Sequence, residues 1–289
     1  MSSIKSFFGF IGKVLKYIQE HFKAMVFLLI LFLVFAPNKD EALKQNNLVE
    51  IALVGTIINT DEVVEQIDKA SEDEHIKGIL LNIDSPGGAV APSIEVAEAI
   101  KRARVNKPII AYASGTIASG SYYASIYSNK IVANAGSLVG SIGVVMQGYN
   151  LEELMSKVGI KPQSLQAGKY KQVGSMDRAW RDFEVEELEK ILLDTYDMFV
   201  SDVAEARGLD VAKKDEFADA HIFTARQAVE VGLVDEIGTK YDAKKALESL
   251  SGVDKAVWNK EDKLDKIMKK LASSVGAVLQ SYLPPLTLR

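Results

Sequence analysis

The sequence predicts an α/β protein built on a mainly parallel sheet. From residue 48 to residue 250, strand-like and helix-like segments alternate, as in successive βαβ units. The strand-like segments are near-continuous apolar runs, the pattern of strands covered on both faces. Composition agrees: the 289 residues are 48% hydrophobic and 25% charged, which is ordinary for a globular chain and excludes a disordered or collagenous one.

Leu48–Ile57 is rich in Val, Ile and Leu and reads as the first strand. Asp61–Ala70 carries Val63, Val64 and Ile67 at helical spacing, with Thr60 as N-cap. Ile76–Ile83 is a buried strand running into Asp84-Ser85-Pro86-Gly87-Gly88. Ser93–Val105 is an amphipathic helix, with Ile94, Val96, Ala97, Ile100 and Ala103 recurring. Pro108–Ala113 is a strand and Ala118–Tyr127 a helix. Lys130–Ala133 and Ile142–Met146 read as short strands. Helices follow at Phe183–Arg207, Ala225–Val231 and Asp242–Leu250. No repeat or linker interrupts this span, so 48–250 is expected to be one domain.

Both ends differ from this body. Residues 24–36 read AMVFLLILFLVFA, an uninterrupted apolar run that spans roughly 20 Å as a helix. Four lysines precede it, and Pro37-Asn38-Lys39-Asp40 ends it. The basic side is expected to stay cytoplasmic, with residues 1–23 as a partly amphipathic inner segment. Val34-Phe35-Ala36 resembles a cleavage site, but Pro37 stands just beyond it. An uncleaved signal anchor over 24–37 is therefore expected, single-pass, with the body outside or in the periplasm. The C-terminal segment 254–289 contains an amphipathic stretch at 261–281. Leu264, Ile267, Met268, Leu271, Val275, Val278 and Leu279 lie on one face, among Lys263, Lys266, Lys269 and Lys270.

Charge and residue inventory narrow the chemistry. Net charge is −5, and the chain after residue 47 holds 28 basic and 36 acidic residues. That argues against a nucleic-acid surface. With no cysteine there is no thiol nucleophile, disulfide framework or thiolate metal site. No cofactor or metal is expected.

Two glycine-bearing turns are candidates for a site. In Asp84–Gly88, two glycines after a buried strand let the backbone approach a ligand and aim N–H groups at an anion; an ordinary turn would look the same. Ala118-Ser119-Gly120-Ser121-Tyr122-Tyr123 puts a serine at a helix start, where a developing oxyanion is stabilised; an N-cap serine would look the same. A serine nucleophile needs a base. The only histidines are His21, His75 and His221, and none stands in a triad-like context. The other option is a lysine freed of its proton by burial, because desolvation penalises the charged form. The candidate run is Gly168-Lys169-Tyr170-Lys171-Gln172.

Together these segments resemble SppA-type signal peptide peptidases of the short, single-domain form. Asp84–Gly88, Ser119–Tyr123, Val139-Gly140-Ser141-Ile142-Gly143-Val144 and Gly168–Lys171 stand in the family's order, followed by IFTARQAVEVGLVDEIG at 222–238. The resemblance covers roughly residues 48–250. It implies Ser119 as nucleophile, Lys171 as general base with Lys169 as the alternative, and Ser141 as the residue orienting the lysine. It implies an oxyanion hole at Gly87 and Gly88, with Gly120 as a further donor. It also implies a Clp/crotonase-like spiral of ββα units, no cofactor, peptide substrates such as cleaved signal peptides, and a membrane-bound homo-oligomer, octameric by resemblance. In such an assembly Ser119 and Lys171 can meet across an interface. The sequence departs from the family at Ser121, where glycine is usual. The competing readings are a Clp-like Ser-His-Asp protease, a crotonase-like acyl-CoA enzyme, and an inactive oligomeric membrane scaffold.

Overall fold

The computed structural model describes Gln19, residues 21–27 and residues 46–259. The chain divides into two units, 1–45 and 46–289. In the first, His21–Phe27 is helical. The rest of the anchor expected at 24–37 lies outside the described residues, as does the tail from 260 onward. No helix among the described residues is long and apolar enough to cross a membrane.

The second unit is a mixed α/β fold on a mostly parallel sheet. Strands β1 (Leu48–Val54), β2 (Gly78–Ser85), β3 (Ile109–Ala118) and β4 (Lys130–Ala133) run parallel in that order. A two-residue β7 (Glu236–Ile237) extends the edge beyond β4. Helices α1 (Asp61–Glu72) and α2 (Val90–Ala103) make the crossovers. A second branch leaves the end of β3: Thr116–Ala118 pair with β5 (Leu138–Gly140), which pairs antiparallel with β6 (Ile222–Thr224).

The period of the strands sorts their side chains between two layers. Ile79, Leu81 and Ile83 of β2, with Ile109, Ala111 and Ala113 of β3, join the main core. α1, α2, the short α3 (Gly120–Ser125) and the long α5 (Asp182–Arg207) cover that face. Leu80, Ile110, Tyr112 and Val132 point the other way, under Ala243 and Leu247 of α8 (Lys240–Ser251). This two-sided burial explains the continuous apolar runs.

Most expected elements are present with shifted ends. β3 runs five residues past the expected Ala113, and this extension carries the chain into the cleft. Thr60 precedes α1, but its hydroxyl bonds the Pro92 carbonyl (2.9 Å) instead of capping the helix. Ile142–Met146 is not a strand; the pairing falls at β5 instead. The physical reason is Ser141, whose φ of 51° breaks the extended run. Several short elements were not anticipated: α4 (Glu152–Lys157), a 3₁₀ turn at Val211–Lys213, α6 (Lys214–Phe217) and the strands β6 and β7. IFTARQAVEVGLVDEIG forms β6, α7 (Ala225–Glu230) and β7; Thr224 and Gln227 close the start of α7 in a reciprocal capping box.

Candidate active site

The site forms where β2 and β3 end. Ser119 follows the last residue of β3 and precedes α3, with φ 52° and ψ −126°. Such a conformation costs a non-glycine residue about 1–3 kcal/mol and persists only where its surroundings hold it. Two backbone bonds do so: the Ser119 N–H donates to the Gly140 carbonyl (2.8 Å), and the Ser119 carbonyl accepts from the Tyr123 N–H (3.0 Å). The hydroxyl makes no capping bond to α3. The N-cap reading of this serine therefore fails, and its oxygen is left half-exposed at the start of a helix.

The Asp84–Gly88 turn lies against this elbow. A methyl group on Gly87 (φ 94°) would sit 2.6 Å from the Gly120 nitrogen, 2.7 Å from the Ala118 oxygen and 2.8 Å from Ser119 Cβ. Only glycine permits that approach. One on Gly88 would meet the Ile57 oxygen at 2.1 Å, and one on Gly120 would lie 3.3 Å from the Gly88 nitrogen. The amides of Gly88 and Gly120 are thus neighbours beside Ser119. Neither has an acceptor among the described residues, whereas the Gly87 N–H donates to Ser85 Oγ (3.2 Å). An attacked carbonyl at Ser119 would have two backbone donors within reach of its oxygen.

Ser121 is fully buried and its hydroxyl fastens the two turns together. Its Oγ accepts from the Ala118 N–H (2.9 Å) and donates to the carbonyl of Ser85 (2.7 Å) or of Ala118 (2.9 Å). The departure from the family's usual glycine is thus accommodated behind the elbow and not in the cleft.

Ser141 lines the same cleft as Ser119. Its N–H donates to the His221 carbonyl (2.7 Å), and the Ala220 N–H donates to the Ile142 carbonyl (2.9 Å). Among the described residues, the non-glycine residues with positive φ are Ser119, Ser141, Asp219 and Ala220. Three of these four line one cleft, and Asp219 adjoins it.

That cleft has a volume of about 200 Å³. Val90 and Ile94 of α2, Val144 and Val145, and Met198 and Phe199 of α5 make its apolar walls. Its other hydroxyls are turned inward: Ser93 Oγ donates to the Ala89 carbonyl (2.8 Å), Thr195 Oγ1 to the Ile191 carbonyl (2.8 Å), and Tyr123 to Asp202. Burial, then the bond to Asp202, pushes the Tyr123 phenol well above its ordinary pKa, so it stays a donor. The hydroxyls of Ser119 and Ser141 have no partner among the described residues. Reasoning from sequence missed the contributions of α5, Ser93 and Ala220. The stripe Thr195, Met198, Phe199 was the only signal, and it reads equally well as core.

The lysines lie elsewhere. Lys169 and Lys171 are exposed on the turn 168–174, and neither lines the cleft of its own chain. Lys169 Nζ sits 4.5 Å from the Phe183 ring centre and 5.0 Å from that of Tyr170, so it is already engaged. The Lys171 ammonium has no partner among the described residues. The body histidines are no nearer a catalytic role: His75 is exposed beside Asp73 (3.1 Å), and His221 offers Ser141 its carbonyl while its ring lies 6.1 Å from that of Phe223. The cleft of a single chain therefore brings together Ser119, Ser141, Gly88 and Gly120, with Gly87 behind them, and holds neither lysine nor histidine.

The chain matches known proteins over this body. Residues 101–254 match peptidase family S49. A Synechocystis sp. protein named as a protease is 38% identical over 219 residues, covering 75% of this chain and 78% of that one. An Enterococcus faecium protein bearing the name signal peptide peptidase SppA is 34% identical over 223 residues, 72% and 65% of the two chains. "Serine protease SPPA, chloroplastic" from Arabidopsis thaliana is 34% identical over 185 residues, 64% of this chain and 27% of its own. The fold resembles that of the "1510-N membrane-bound stomatin-specific protease S97A mutant", with TM-score 0.51 and 15% identity over 76% of this chain and all of that one. The chain belongs to peptidase family S49 and is an SppA-type serine peptidase.

Proposed function

We propose that this peptidase is a membrane-anchored endopeptidase that cuts apolar peptides, spent signal peptides among them, with a Ser119–Lys171 dyad. Neutral Lys171 Nζ takes the proton of Ser119 Oγ as that oxygen attacks the scissile carbonyl. The N–H groups of Gly88 and Gly120 hold the oxyanion, in a turn kept close by Gly87. Lys171 then gives its proton to the leaving amine, and water hydrolyses the acyl-enzyme. Ser141, in the lining of the same cleft, orients the lysine. The observation that carries this reading is the strained Ser119, its hydroxyl uncapped, beside two unengaged amides in an apolar cleft.

Lys171 comes from a neighbouring copy. It lies outside the cleft of its own chain, and exposed apolar side chains run along the segment between cleft and lysine: Val145, Met146, Leu154, Val158, Ile160 and Leu165. A homo-oligomer, eight-membered by its resemblance to the family, would cover them and complete each site; the ββα units would form the family's spiral. The apolar run at 24–37 anchors this assembly in the cytoplasmic membrane with the catalytic unit on the outer side, near its substrates.

The test is complementation. Ser119→Ala and Lys171→Ala chains, each inactive alone, are co-expressed in equal amounts. In random mixed assemblies a site needs an intact serine from one chain and an intact lysine from the next, so about a quarter of the wild-type rate returns. Mixed assemblies without activity overturn the shared site. Full activity of Lys171→Ala alone overturns the lysine base, and that of Ser119→Ala overturns the nucleophile.

A further inference from the structure

Tyr123 lines the cleft beside Ser119, and its hydroxyl is bonded to a carboxylate that does not line it. Thr195, Met198 and Phe199 face the cleft from α5. Asp202 follows them at the next position of the same helical stripe, seven residues after Thr195. It does not reach the cleft. The Tyr123 ring packs edge-on against Phe199, with centres 5.1 Å apart, and its hydroxyl donates to Asp202. Tyr123 is 7% exposed and Asp202 is half-buried. Of the positive groups recorded nearby, the Lys101 ammonium is held over the Tyr127 ring at 4.4 Å and pairs with Glu98 at 3.7 Å, and the Arg104 guanidinium donates to the Tyr127 carbonyl (2.8 Å). The lining of the cleft itself carries no charged side chain.

We propose that Tyr123 determines specificity by ending the cleft and withholding Asp202 from it. As built, the cleft takes an apolar side chain next to the scissile carbonyl. A lysine or arginine there would lose its hydration and meet apolar walls and neutral hydroxyls but no carboxylate. With Tyr123 shortened, the cleft continues along the α5 stripe to an unpaired carboxylate, which suits a basic side chain at its far end. This rests on Ser119 being the nucleophile.

The experiment uses the full-length membrane-bound enzyme and peptides that differ only in the residue before the cut: Ala, Leu, Phe, Lys or Arg. Products are identified by mass. The wild type is expected to prefer Leu over Lys. In Tyr123→Ala the Lys-to-Leu ratio of kcat/KM should rise about tenfold or more, the scale of one charged hydrogen bond. Asp202→Asn added to that variant should abolish the gain. Tyr123→Leu keeps more of the packing and should show the same shift if Tyr123→Ala does not fold. A folded, active Tyr123 variant with unchanged preference overturns the proposal, as does a wild type that cuts equally well after Lys, or a gain that survives Asp202→Asn. Failure of the underlying reading looks different: a fluorophosphonate would not label Ser119, and Ser119→Ala would still hydrolyse every peptide.

Discussion

Gly87→Ala tests whether the contact between the two turns builds the site. The new methyl would lie 2.6–2.8 Å from the Gly120 nitrogen, the Ala118 oxygen and Ser119 Cβ, all closer than a real Cβ tolerates. None of these atoms ends a flexible side chain, so the Ser119 elbow must move. The residue also holds φ at 94°, which costs an alanine about 1–2 kcal/mol in strain. Displacing a reacting group by about 1 Å costs on the order of 100-fold, and losing one oxyanion donor about 100- to 1000-fold. We therefore expect kcat/KM to fall about 100- to 1000-fold, with a loss of stability of about 1–3 kcal/mol. Gly55→Ala separates the two effects. Gly55 has a similar φ of 79°, but nothing lies within 4 Å of its would-be methyl. It should show the strain cost alone and hydrolyse peptides at the wild-type rate. The assays are peptide hydrolysis, the rate of fluorophosphonate labelling at Ser119, and urea melts. If Gly87→Ala matches Gly55→Ala in all three, the turn does not shape the site and the reasoning fails.

Other consequences are more local. Ser121→Ala leaves the Ser85 carbonyl and Ala118 N–H without their shared partner in a buried position. It should lower stability by about 1–3 kcal/mol in urea melts and slow Ser119 labelling, and an unchanged midpoint would count against the tie. The buried Glu184 carboxylate is held at a pKa of about 2, chiefly by the bidentate bonds from Arg178 (2.7 Å each) and then by the Arg181 N–H (2.8 Å). Its folded pKa lies below the ordinary 4.5, so its contribution is complete above pH 4.5 and is lost as pH falls toward 2. Thermal midpoints of the wild type should therefore fall more steeply across that window than those of Glu184→Gln, and parallel curves would refute the assignment. Lys169→Ala removes a cation from the Phe183 and Tyr170 rings and should leave most of the hydrolysis rate, unlike Lys171→Ala. A Lys169→Ala enzyme as inactive as Lys171→Ala would mean that the wrong lysine had been chosen.

The sequence alone determined the class of fold and the residues in contention. Runs such as Ile79–Leu81 are apolar at successive positions because both faces of the sheet are covered, and that pattern is legible in the sequence alone. The order of the Asp84–Gly88, Ser119–Tyr123, Val139–Val144 and Gly168–Lys171 segments was equally legible, and its resemblance to a known family pointed to a serine peptidase before any geometry was known. Spacing could not say which way a hydroxyl turns. That Ser119 caps nothing, that Ser121 ties Ser85 to Ala118, and that Gly87 lies within a methyl's breadth of the elbow depend on β2 and β3 ending side by side. These segments are some thirty residues apart in the chain, and only sheet register joins them. The expected strand at Ile142–Met146 failed for a related reason: a short apolar, β-branched run signals extended chain, but a strand also needs a neighbour, and the kink at Ser141 removes it. Likewise the stripe on α5 announces a buried helix face, and only the packing of Tyr123 against Phe199 and Asp202 makes part of it the wall of a cleft. Local sequence fixes periodicity and residue chemistry, whereas a site assembled from distant segments exists only once the tertiary fold brings their ends together.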